Sequence, residues 1–216
     1  MSLALRDVAR LAAEWQLEIL GGFYPEPEDP LPKGTQTVLL LGPAQPGFWR
    51  KVSGSPEFAD GAPDPLDRWS TRALGELAES CASSAVFPFG GPPWLPFIGW
   101  SERTGRVWSS PAGLLVHATQ GLWVSFRGGL AFKERLELPA PLPCPCDTCA
   151  DKPCLSACPV SALTPSGYDV SACHAGLDDG LDCMTKGCAA RAACPISQSH
   201  PRALDQSAFH MRAFHP

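Results

Sequence analysis

Nine of the ten cysteines in this 216-residue chain fall between residues 144 and 194, and only Cys81 precedes them. They form two runs. The first is Cys146-x2-Cys149-x4-Cys154-x3-Cys158-Pro159, and the second is Cys173-x9-Cys183-x4-Cys188-x5-Cys194-Pro195. Thiols this crowded read as a loop-rich metal domain, with short turns wrapped around whatever the sulfurs bind.

Three close cysteines followed by a fourth that precedes proline is the ligand pattern of bacterial two-cluster ferredoxins, in which the fourth cysteine crosses to the other cluster. Each iron needs one thiolate. Close spacing lets one loop surround a cube and aim backbone N–H groups at its sulfurs, and the proline then turns the chain away. The crossing rule divides eight cysteines into two sets of four. Cys146, Cys149, Cys154 and Cys194 would hold one [4Fe–4S] cluster, and Cys158, Cys173, Cys183 and Cys188 the other. Cys81 and Cys144 are left over. Cys144 is an alternative to Cys146 as first ligand, since only Pro145 separates them, and the x2 gap to Cys149 favours Cys146. Zinc on four cysteines is a competing reading, although paired Cys-Pro endings are not its habit. Disulfides would require an oxidising compartment. Cys81 reads as a small core residue. His174, beside Cys173, is a substitute-ligand candidate that reads first as a neighbour, and His200, His210 and His215 read as binding nothing.

The rest of the chain frames this segment. A formal net charge of −5 offers no basic surplus for phosphates, so no nucleic acid is expected as a partner. A mildly acidic surface suits docking with a redox partner protein. The most apolar run, Thr37 to Leu41, is too short to span a bilayer, and no targeting signal is visible, so the expected compartment is the cytoplasm. Residues 1–22 read as one amphipathic helix, with Leu5, Val8, Ala12, Trp15 and Ile19 at helical spacing. Thr37–Leu41 reads as a buried strand, and Leu66–Ser83 as a helix facing inward through Trp69, Ala73, Leu77 and Ala78. Gly113–His117 and Leu122–Phe126 read as two strands around a turn at 119–121. Phe87–Pro93 reads as a loop, and Leu138–Pro143 as an extended linker. The expected architecture is α+β, with a mixed α/β domain over 1–138 and a small cysteine domain over 139–216.

Ser101-Glu102-Arg103-Thr104-Gly105-Arg106-Val107-Trp108, continuing through Gly113-Leu114-Leu115 to Gly121-Leu122-Trp123, resembles a segment of the epoxyqueuosine reductase family. Those are the cobalamin- and iron–sulfur-dependent enzymes of tRNA queuosine synthesis. The segment is similar to the family's Ala-Glu-x-Ala-Gly-x-x-Trp stretch, its Leu-rich strand and its Gly-Ser-Trp turn. Two cysteine runs follow at a similar distance, and the resemblance covers roughly residues 65–196. It implies a flavin-reductase-like, cobalamin-binding-like domain that feeds a two-cluster ferredoxin domain. It implies a cofactor pocket at Trp108, Ser109, Ser110, Leu114 and Trp123, holding cobalamin or, alternatively, a flavin. Ser110-Pro111 stands where the family has Gly-Lys. The place of its acidic proton donor falls at Gly91, with no carboxylate between Glu79 and Glu102. The family's C-terminal helical repeat is not expected here. The resemblance therefore implies a divergent relative rather than an enzyme that reduces epoxyqueuosine.

The functional expectation is an iron–sulfur redox protein passing electrons to a corrinoid, or acting on a small-molecule substrate through it. The alternative is a ferredoxin-like carrier that docks a partner and holds no organic cofactor. A corrinoid needs low-potential electrons, which clusters of this type can supply.

Overall fold

A computed structural model describes residues 4–164, 167–200 and 202–216. In chain order its elements are α1 (Leu5–Glu14), β1 (Leu17–Phe23), β2 (Thr37–Pro43), α2 (Gly47–Ser53), α3 (Pro56–Ala59), α4 (Pro65–Ser80), β3 (Ser84–Val86), α5 (Phe97–Glu102), β4 (Val107–Ser109), β5 (Leu115–His117), β6 (Gly128–Phe132), β7 (Leu163–Thr164), β8 (Gly167–Tyr168), α6 (Val170–Asp178), α7 (Cys183–Lys186), α8 (Ala189–Ala193), α9 (Pro195–Gln198) and α10 (Leu204–Phe214). The fold is mixed α+β. Among the described residues, no helix is long and apolar enough to cross a membrane.

The chain divides into two compact units. One comprises residues 1–106 and 125–141, and the other residues 107–124 and 142–216. The sequence reading set a single boundary at 138/139. The structure instead groups 107–124 with the cysteine-rich part.

The first unit is built on an antiparallel sheet in the order β1-β2-β6-β3. Every residue of β2 is buried, so its continuous apolar run Val38–Leu41 is that of an interior strand. The helix expected over 1–22 is two elements. Val8 and Ala12 bury the inner face of α1. Gln16 then takes a left-handed turn (φ 55°), and Leu17–Phe23 continues as β1. Residues 1–3 of that expectation lie outside the described residues. Helix α4 buries Trp69, Ala73, Leu77 and Ala78 together, and Trp69 meets Phe48 edge-on at 5.5 Å.

The strand expected over Leu122–Phe126 is absent, and β6 begins two residues later. Gly128 and Gly129 open it and lower its strand signal, yet tight packing requires glycine there. A Cβ on Gly128 would stand 2.6 Å from Leu74 Cδ2 and 2.8 Å from the Val86 carbonyl oxygen. Asp29 anchors α5. It accepts from Trp100 Nε1 at 2.8 Å and from Arg103 Nη1 at 2.9 Å on both carboxylate oxygens.

In the second unit, β4 and β5 form a hairpin (Val107 opposite His117), and β7 pairs with β8. Its core combines hydrophobic side chains with thiols. Ala112, Val116, Leu122, Leu163 and Ala190 are buried with Cys154 and Cys194, and Trp108, Leu114, Cys146 and Cys188 pack against them. Residues 138–143 carry no regular structure.

Candidate metal centre

The hairpin is held to the cysteine runs by two bonds on one residue. Leu122 N–H donates to Ser197 Oγ at 2.9 Å, and its carbonyl accepts from Arg191 Nη1 at 2.6 Å. The backbone groups of Leu122 are therefore used by side chains and not by a strand, which is why 122–126 leaves the ladder. Gly121 permits the approach. It has φ 60°, and a Cβ there would lie 2.5 Å from Ser197 N and 3.1 Å from Cys194 Sγ.

Cys146, Cys149, Cys154 and Cys194 line one cavity of about 470 Å³. Its other walls include Ser110, Val116, Leu122 and Ile196. Cys154 and Cys194 are buried, and Cys146 and Cys149 half-buried. Burial pushes the Cys146 thiol up to about 12, and Cys144, Cys154 and Cys194 add to the shift. Cys154 is raised by burial first and then by Cys194 and Cys149, against backbone N–H bonds that favour its thiolate. Cys194, from the second run, thus stands among thiols of the first. Cys144 hydrogen-bonds Cys146, so the first set has a fifth thiol at its edge.

Cys183 is likewise raised by burial, with Cys188, Cys158 and Cys173 contributing and a backbone N–H at Ala189 opposing. Cys158, from the first run, thus stands among thiols of the second. Its Sγ accepts from Ala162 N–H at 3.3 Å. Tyr168 hydrogen-bonds Cys173, and the Arg191 guanidinium lies near Cys188 and Tyr168.

Among the described residues, no three His, Cys, Asp or Glu side chains are arranged to bind a single metal ion. Cluster thiolates each bind a different iron, so their spacing is wider than that of ligands sharing one ion. The donor chemistry fits a cluster: four thiols share a largely apolar wall, and backbone N–H groups are directed at sulfur. Cys81 lies apart in the first unit, buried in its core. His174 and His215 contact through their Nδ1 atoms at 3.1 Å, and His215 Nε2 meets Asp178 at 2.9 Å.

The five residues expected to form a cofactor pocket in the N-terminal domain all belong to the second unit. Trp108 and Leu114 pack on the thiol-bearing core, Ser110 lines the cysteine cavity, and Ser109 is exposed. Trp123 lies under the Arg202 guanidinium, 5.0 Å from its ring centroid. Sequence reasoning missed Ser197, Arg191 and Tyr168. The available signal was Gly121 followed by an apolar pair, close to no strand partner of its own. Comparison with family models, curated proteins and solved structures finds no match to this chain.

Proposed function

We propose that the protein is an iron–sulfur electron-transfer protein carrying two [4Fe–4S] clusters in a ferredoxin-like domain. One would be held by Cys146, Cys149, Cys154 and Cys194, the other by Cys158, Cys173, Cys183 and Cys188. The observation that carries this reading is the crossed grouping of the thiols, in which Cys194 joins the first run and Cys158 the second. A crossing cysteine followed by proline at the end of each run is the two-cluster ferredoxin pattern. When bound, the clusters would supply one-electron chemistry at low potential. The chain's own groups hold the thiols in apolar surroundings, orient them through Leu122, Ser197 and Arg191, and offer N–H donors to sulfur.

For the electron's destination, the carrier reading is favoured. Its partner would be a redox protein docking on a mildly acidic chain. The residues that the resemblance to epoxyqueuosine reductases assigns to a corrinoid belong to the cysteine-bearing unit, so they furnish no pocket in the sheet unit. A corrinoid site and a flavin-reductase-like identity for the sheet unit remain the second reading, resting on that resemblance.

The test is anaerobic reconstitution followed by reduction with dithionite, reoxidation, and titration with hydroxocobalamin. The carrier reading expects reversible bleaching near 400 nm, an expectation of cluster absorption in general, with an unchanged cobalamin spectrum. Stoichiometric cobalamin binding would restore the corrinoid reading. Absence of reversible reduction would refute both.

A further inference from the structure

The cavity shared by Cys146, Cys149, Cys154 and Cys194 is lined by one buried polar side chain with no partner. Ser110 is 6% exposed, and its Oγ makes no hydrogen bond. Native structures seldom leave a buried hydroxyl unsatisfied, and each exception needs a physical explanation, such as an ion or group bound beside it. The backbone of Ser110 is fixed. Its N–H donates to the Leu114 carbonyl at 2.8 Å, and its carbonyl accepts from Gly113 N–H at 2.9 Å. The neighbouring wall, formed by Pro111, Val116, Leu122 and Ile196, offers the hydroxyl no side-chain acceptor. Thr148 and Asp151 also line the cavity but are exposed, and the buried side-chain acceptors in it are the sulfurs of Cys154 and Cys194.

We infer that the Ser110 hydroxyl donates a hydrogen bond to the cluster held by Cys146, Cys149, Cys154 and Cys194, and raises its reduction potential. The inference rests on the proposed iron–sulfur reading. On reduction one electron enters from an external low-potential donor and no bond breaks. The added negative charge spreads over the sulfurs, so a hydrogen bond to sulfur strengthens and the reduced state gains more than the oxidised one. The contribution comes from a hairpin outside the cysteine runs, which explains why a segment so distant in sequence packs against them.

The experiment is a potentiometric titration, followed by electron paramagnetic resonance, of reconstituted unaltered protein and of Ser110→Ala. The signal lost in Cys194→Ala identifies the first cluster. Ser110→Ala should disfavour reduction of that cluster about tenfold, a fall of about 59 mV for a one-electron couple, with the second cluster unmoved. Ser109→Ala, on an exposed side chain, should move neither. Ser110→Thr keeps the donor and should keep the potential, which separates hydrogen bonding from packing. Loaded Ser110→Ala with both potentials unchanged would overturn this assignment alone. Failure of the unaltered protein to take up iron and sulfide would overturn the cluster reading beneath it as well.

Discussion

Gly121→Ala should destabilise the cysteine-bearing unit far more than the same change at Gly113. Both glycines have positive φ, 60° and 70°, so alanine at either site incurs the left-handed penalty of about 1–2 kcal/mol. They differ in their surroundings. Nothing lies within 4 Å of a Cβ at Gly113, whereas at Gly121 it would meet Ser197 N at 2.5 Å and Ser197 Oγ at 2.7 Å. Relieving that clash pushes Leu122 away from Ser197 or shifts Cys194, an overpacking cost of about 1–3 kcal/mol. The expected loss is therefore about 2–5 kcal/mol at Gly121 and about 1–2 kcal/mol at Gly113. The assay is urea unfolding of anaerobically purified protein, followed through protection of Cys194 from a thiol reagent and read by peptide mass spectrometry. Equal unfolding midpoints for the two variants would refute the claim that the hairpin is seated on the Cys194–Ser197 turn.

Other consequences follow from single contacts. Arg72 hydrogen bonds hold Glu57 down from 4.5 to about 2, so the pair's stabilisation is full above pH 4.5 and is lost as pH falls towards 2. Glu57→Gln should cost about 1 kcal/mol at pH 7, because Arg72 is 40% exposed and water screens the pair. In urea unfolding at pH 7 and pH 2.5, the deficit should shrink at the lower pH, and a constant deficit would contradict the ion pair. Arg191→Met should loosen the Leu122 carbonyl contact and remove the cation beside Cys188, costing about 1.5–3 kcal/mol. The urea unfolding midpoint of the cysteine-bearing unit is the measurement, and an unchanged midpoint would count against it. Cys81→Ala should leave the iron content of reconstituted protein unchanged, since Cys81 is a core residue of the sheet unit; loss of a cluster's iron would make it a ligand.

Much of the site was legible because cysteine spacing is local. Loops of two to nine residues between thiols of a run restrict which sulfurs can face one centre, and Cys-Pro marks where the chain leaves. The buried strand Thr37–Pro43 was legible from its unbroken apolar run. The second half of the first helix reading failed because Trp15 and Ile19 continue a helical spacing by coincidence, and the chain turns at Gln16. The strand β6 was hidden because its glycines serve α4 packing and carry no apolar signal. The placement of 107–124 could not be read at all. It depends on Ser197 and Arg191, about 70 residues away, capturing both backbone groups of Leu122. The same long-range contact moved Trp108, Ser110 and Leu114 away from the domain to which their order in sequence assigned them.

The central claim is the crossed assignment of eight cysteines to two clusters, and iron and sulfide counts on two double variants test it most directly. Unaltered protein should reconstitute with about eight iron and eight sulfide per chain. Cys149→Ala with Cys194→Ala removes two ligands of one proposed cluster, so about four iron and four sulfide should remain. Cys149→Ala with Cys158→Ala removes one ligand from each, and both clusters should be lost. Local, uncrossed binding reverses the two outcomes, with loss of both clusters in the first double variant and about four iron in the second. That reversal, or stoichiometric zinc without sulfide in the unaltered protein, would contradict the account.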